Sequence, residues 1–258
     1  MIRSNIEFLN EDYPVLALAI HNGHEMHSDL IQMCGITEAD RLREEDPYTE
    51  IFANAYPNKI VVYTSRFTVD LNRRREQAIY QNPEDCWGLQ ARLAPLPDSL
   101  VTDLLRDYGQ WYSLLTFSIK RLLDKNPFLL VLDLHSYNHR RQGENAPADS
   151  QNDNPDIILG RNNMPIEFYP WVEKLRAQID KKDVSGRILD CRIDVKFTGG
   201  WLCRWLHQTF PYQVLCLAVE FKKIFMNEWT GELDKEMQDT LSNILYQAVE
   251  HCRQELVK

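Results

Sequence analysis

What the chain lacks narrows it first. None of its six cysteines (Cys34, Cys86, Cys191, Cys203, Cys216, Cys252) stands in a Cys-x-x-Cys pair. That spacing excludes a thiolate zinc knuckle and does not resemble a disulfide framework. A small buried thiol is the ordinary reading of a cysteine inside an apolar run, as at Cys216. No apolar stretch approaches the ~20 residues of a membrane span. Met1 is followed by Ile-Arg-Ser-Asn rather than by the apolar segment of a secretory signal. A basic surface is missing too: 29 lysines and arginines face 38 aspartates and glutamates, a net charge of −9. The one dense cluster, Arg73-Arg74-Arg75, runs straight into Glu76, so nucleic acid is not an expected partner. No repeat or linker divides the 258 residues. The expectation is a single α/β domain over residues 1–258, soluble, reduced and cytoplasmic. A chain of this length buries roughly three quarters of its unfolded surface and needs no staple to fold.

What is present is one grammar used four times. Phe128-Leu-Leu-Val-Leu-Asp-Leu ends on His135-Ser-Tyr-Asn138, and Val15-Leu-Ala-Leu-Ala-Ile20 ends on His21. Ile60-Val-Val-Tyr-Thr-Ser65 ends on Arg66, and Val214-Leu-Cys-Leu-Ala-Val219 ends on Glu220. Short runs without a polar face read as strands buried on both sides, and ligands bind beyond the carboxyl ends of such strands. Four parallel strands would therefore gather two imidazoles, a guanidinium and a carboxylate along one edge.

Between them the pattern predicts short helices at 28–33, with Gly35 as C-cap, and after Thr37, whose hydroxyl suits an N-cap ahead of Asp40. A long amphipathic helix is expected from Ser99 to Asp124, strands near 156–160 and 187–195, and helices near 165–180, at Trp201–Leu206 and at 234–256. The polar stretch 139–154 has the length and composition of an active-site flap.

Two histidines that each terminate a buried strand point to a metal, and a hydrolytic zinc site takes three protein ligands from His, Asp and Glu. Glu25, four residues past His21, and Asp46, at the end of Glu44-Glu45-Asp46, are both candidates for the third; His24 is a more distant one. Arg66, Asn72 and Arg73 set guanidinium and amide donors beside each other, a pairing that suits a carboxylate. Glu220 follows six apolar residues, so desolvation should raise its pKa and suit it to proton transfer. Its bland alternative is an ion pair with Lys222 or Lys223. Lys196, Gly199 and Gly200 could shape the pocket floor, or the glycines could form a plain turn.

Five ordered stretches carry a family resemblance. They are Ser-Arg-Phe-Thr-Val-Asp-Leu-Asn-Arg at 65–73, Asp-Leu-His-Ser at 133–136, Val-Lys-Phe-Thr-Gly-Gly at 195–200, Ala-Val-Glu-Phe at 218–221 and Phe-Met-Asn-Glu at 225–228. The set resembles the N-formylglutamate amidohydrolase family, a branch of the zinc carboxypeptidase-like (phosphorylase/hydrolase-like) fold, over about residues 14–230. The resemblance implies a mixed, mostly parallel sheet flanked by helices. It implies a hydrolase that removes a small acyl group, formyl in the name-giving reaction, from an amino acid nitrogen. It further implies Zn2+ or another divalent ion on His21 and His135, Glu220 as the catalytic carboxylate, and Arg66, Asn72 and Arg73 as carboxylate binders. Zinc carboxypeptidases carry an acid three residues after the first histidine, whereas here His24 holds that position and Glu25 follows. Two other readings stay in play: a peptidase or deacylase for larger N-acyl amino acids, and a metal-free binder of acidic metabolites.

Overall fold

In the computed structural model, which describes residues 1–256, the elements run β1 (Ser4–Phe8), β2 (Val15–Ala19), α1 (Ser28–Gln32), α2 (Glu38–Glu44), α3 (Thr49–Ala53), β3 (Asn58–Val62), α4 (Asp98–Leu123), β4 (Leu129–Tyr137), β5 (Ile157–Gly160), α5 (Tyr169–Ile179), β6 (Asp183–Val184), β7 (Arg187–Ile188), β8 (Cys191–Ile193), α6 (Trp201–Thr209), β9 (Val214–Lys222) and α7 (Lys235–Arg253). Seven strands form one sheet in the order β1-β3-β2-β4-β9-β5-β8, and β6 and β7 make a separate hairpin. β3, β2, β4 and β9 lie parallel, as the four apolar runs required. β1 and β5 run antiparallel to β3 and β9 respectively.

Side-chain alternation along the buried strands sorts the molecule into three layers. Val15, Ala17 and Ala19 face one way, into a core shared with Phe52 of α3, Leu175 of α5 and Leu245 of α7. Leu16, Leu18 and Ile20 face the other way, against Tyr112 and Ile119 of α4 and Leu202 and Leu206 of α6. With both faces covered, only strand ends can present chemistry. No helix among the described residues is long and apolar enough to cross a membrane.

Four local expectations change. β1 has no counterpart in the reading above: every residue of this edge strand is only half-buried, which blurs the alternation. Gly35 is not a left-handed cap; a Cβ there would stand 2.1 Å from the Gln90 carbonyl oxygen, so close approach is what requires glycine. The strand expected over 187–195 is split, because Ser185 and Gly186 turn at positive φ (51° and 84°) and fold β6 onto β7. β4 continues past Leu134 to Tyr137, since His135, Ser136 and Tyr137 still pair with Glu220, Phe221 and Lys222.

Candidate metal centre and cleft

His21 follows β2 by two residues, and His135 lies inside β4 directly opposite Glu220 of β9. Asp46 arrives from α2, whose N-terminus is capped by Thr37 accepting from the Asp40 amide at 3.1 Å. The three acids ending that segment go three ways. Glu44 takes both guanidinium nitrogens of Arg141, each at 3.2 Å. Glu45 binds Arg41, the Ser65 hydroxyl and His24 Nδ1. Of the three, Asp46 alone reaches His21 and His135, 3.4 Å from His21 Nδ1 and 2.9 Å from His135 Nδ1.

The donor set fits a divalent ion. One ligand atom from each of His21, Asp46 and His135 lies within 4.8 Å of the others, and all three residues are buried. His21 Nε2 stands 2.7 Å from Asp70 Oδ1, and His135 Nε2 stands 2.9 Å from Asp133 Oδ1. A carboxylate only accepts, so His21 Nε2 carries the hydrogen and His21 Nδ1 is left as the potential ligand, while His135 has a carboxylate at each nitrogen, Asp133 at Nε2 and Asp46 at Nδ1. Among the described residues the buried His21 Nδ1 has no hydrogen-bond partner, so its lone pair suits a ligand role. Burial would raise the Asp46 carboxyl, but hydrogen bonds and charge from both imidazoles outweigh it and hold the group well below the usual range. Burial would lower the basicity of His135, yet Asp133 and then Asp46 and Glu220 reverse that and raise it well above normal. A field that favours a proton on this ring also favours a cation beside it.

Glu220 lines the same cleft with its carboxylate in no hydrogen bond among the described residues, and burial raises its pKa to about 7 against the opposing charge of His135. Its bland alternative is absent: Lys222 pairs with Asp156 at 3.0 Å, and Lys223 donates to the main-chain carbonyls of Arg43 and Glu45.

Every expected substrate-binding residue lines this cavity of about 330 Å³. Arg66 is anchored by Asp70 at 2.9 Å, the Tyr80 hydroxyl at 3.1 Å and the face of Trp87 at 4.9 Å. Arg73 sits nearer the rim, its side chain 40% exposed. Asn72 does double duty: its side-chain oxygen accepts from the Leu202 amide at 3.0 Å, capping α6, while its nitrogen lies 3.3 Å from His135 Nε2. Gly200 makes that possible, since a Cβ there would fall 2.1 Å from the Asn72 side-chain oxygen; Gly199, at φ 103°, precedes it. The Gly-Gly pair is therefore more than a plain turn. Lys196, at the mouth, donates to Asn154 at 2.6 Å.

The cluster excludes Glu25. Its exposed side chain is taken by Arg3, and its main chain bridges to Thr64. His24 is likewise turned away, held by Glu45. Several cleft residues had no assigned role in the sequence. Asp133 could have been found, because it is the one charge in an apolar strand and stands two residues before His135, on the same face. Asp70 sits inside a motif already singled out. Trp87, Arg141 and Asn138 come from loops and carried no spacing signal, and Ser136 lies near the end of β4; the buried Ser136 Oγ and Asn138 Oδ1 lack partners among the described residues.

The fold is similar to that of N-formylglutamate amidohydrolase from Ralstonia eutropha, with a TM-score of 0.74 at 17% identity, covering 98% of each chain. It is also similar to a gene product of Agrobacterium tumefaciens, with a TM-score of 0.66 at 13% identity, covering 97% of this chain and 96% of that one. No curated protein matches the chain. The family profile of N-formylglutamate amidohydrolase, however, matches residues 13–226. With most of its length so matched, the chain belongs to the N-formylglutamate amidohydrolase family.

Proposed function

We propose that this protein is a divalent-metal-dependent amidohydrolase that cleaves the amide of a small N-acyl amino acid. N-formyl-L-glutamate, for which its family is named, is the first substrate to test, with formate and the free amino acid as products. The observation that carries the reading is the pair of buried imidazoles, each with a carboxylate near Nε2 and Asp46 near Nδ1. His21, Asp46 and His135 would hold zinc or a similar ion. Such an ion, when bound, polarises a carbonyl and lowers the pKa of water from 15.7 to about 7.

The chain's own residues do the rest. Arg66 and Arg73 receive the carboxylate of the amino acid and fix the scissile amide over the cleft floor. Glu220 accepts a proton as water adds to the acyl carbon. It returns that proton to the leaving nitrogen as the C–N bond breaks, so the acid departs with the added oxygen and the amine with the proton. A carboxyl near pKa 7 is matched to both transfers. A cavity of about 330 Å³ lies at the small end for ligand sites, which favours a formyl or acetyl group over a peptide.

The test is formate release from N-formyl-L-glutamate by the purified protein, compared with acetyl, succinyl and dipeptide substrates. Treatment with a chelator should abolish turnover and a divalent ion should restore it. Asp46→Ala should purify without the ion and Glu25→Ala with it. Protein that contains no ion and releases no formate would overturn the proposal.

A further inference from the structure

We propose that Lys223 is a positioning residue for the ion-binding carboxylate: its ammonium clamps the peptide group that sets where Asp46 stands. The inference rests on the reading of His21, Asp46 and His135 as an ion site. Lys223 is 1% exposed, and no carboxylate pairs with it among the described residues. It donates instead to two neutral acceptors, the carbonyls of Arg43 at 2.6 Å and Glu45 at 2.7 Å. These lie at the C-terminal end of α2, where carbonyls lack helical partners and a cation is favoured.

The Glu45 carbonyl and the Asp46 amide belong to one planar peptide. Lys223 holds that plane by its oxygen. The His21 carbonyl holds it by its nitrogen, at 3.0 Å. Pinned from both sides, the plane leaves the Asp46 Cα little freedom. The lysine is itself tied down, since its amide donates to the Tyr137 carbonyl at 3.0 Å, two residues past His135, and it follows Glu220 by three. Through its side chain and its amide, this one residue links the segment that carries Asp46 to the strands that carry His135 and Glu220.

Charge and geometry make opposite predictions here. Removing a nearby ammonium would by itself tighten binding of a divalent cation. Loosening the peptide that carries Asp46 would weaken it. The experiment is zinc affinity of full-length Lys223→Met, which keeps the stem and loses the donors, measured by competition with a chromogenic chelator. A second variant, Lys223→Gln, keeps one amide donor and carries the same test if the methionine variant does not fold. We expect zinc to bind about 10–100-fold more weakly to Lys223→Met, the usual effect of losing a group that orients a ligand, with Lys223→Gln between it and the wild type. The visible absorption of the cobalt(II)-loaded variant should also shift, whereas a lysine that merely stabilised the fold would lower the melting temperature and leave that spectrum alone. Unchanged or tighter zinc binding, or an unaltered cobalt spectrum, in a folded variant overturns the role of Lys223 alone. Wild-type protein that binds no ion overturns the site reading and this inference together.

Discussion

Asp70 is where the motif at residues 65–73 converges. His21 Nε2, Arg66, the Tyr80 hydroxyl and the Asn72 amide all donate to this one fully buried carboxylate. Burial would raise its pKa, but Arg66 and then His21 hold it well below the usual range. Asp70 therefore orients the first imidazole and fixes the arginine beside it, and Asp133 stands 2.9 Å from His135 Nε2. Glu220 differs from both in having no donor to hold it among the described residues, as proton exchange requires. Glu220→Gln should retain the ion, because Glu220 is outside the ligand cluster. Its kcat should fall about 10²–10⁴-fold, the usual worth of a positioned acid–base group. Paired metal analysis and steady-state kinetics check this, and near-normal kcat would remove Glu220 from the chemistry. The places of His21, His135 and Glu220 were legible at this scale because each follows a buried apolar run. The choice between Glu25 and Asp46 was not. It turns on Arg3, which leads into the unrecognised edge strand β1 and captures Glu25.

One element, α6, borders the site at its far side, and each of its ends gives a prediction. α6 begins at Gly200, where any side chain would collide with Asn72. Gly200→Ala should cost about 1–3 kcal/mol in denaturant unfolding, the usual penalty of overpacking, and should lower kcat/KM because Asn72 also lies beside His135. At its other end α6 carries His207. Its Nε2 accepts from the Cys216 amide at 2.9 Å, a stretch of β9 that β5 does not reach, and its Nδ1 donates to Asn163 at 3.0 Å. Burial lowers the pKa of His207 to about 4. A depressed base favours the neutral folded form, so this contribution is complete above the unfolded value of ~6.5 and is lost as pH falls toward 4. The full loss comes to about 3 kcal/mol. Glu220, raised to about 7, acts with the opposite sign. The stability difference between wild type and His207→Gln, followed from pH 7 to pH 4, isolates the histidine and should shrink across that window. An unchanging difference would refute the assignment. The helix was legible from its tryptophans and the glycine pair. The role of His207 was not, because it depends on where β5 stops.

At the scale of the whole molecule, the proposed ion site joins chain segments that are far apart in sequence, at positions 21, 46 and 135. An ion that binds only the folded form stabilises by mass action, about 2.7 kcal/mol at a concentration 100 times Kd. Differential scanning calorimetry should therefore show the melting temperature rising by several degrees with added zinc, and Asp46→Ala should abolish the rise. The central parallel strands were readable because both faces are covered, which forces unbroken apolar runs. The edges were not, since half-exposed strands such as β1 and two-residue pieces such as β6 and β7 leave no periodic trace.

The antiparallel setting of β5 carries a consequence for how this scaffold can diversify. β4 rises toward the cleft and β5 descends from it, so the intervening connection at residues 138–156 both starts and finishes at the mouth without crossing the sheet. Insertions there would leave every strand where it is, and each doubling of length adds only about 0.6 kcal/mol of closure entropy. Substrate range can thus evolve in one hairpin-like excursion while the machinery beneath it stays put.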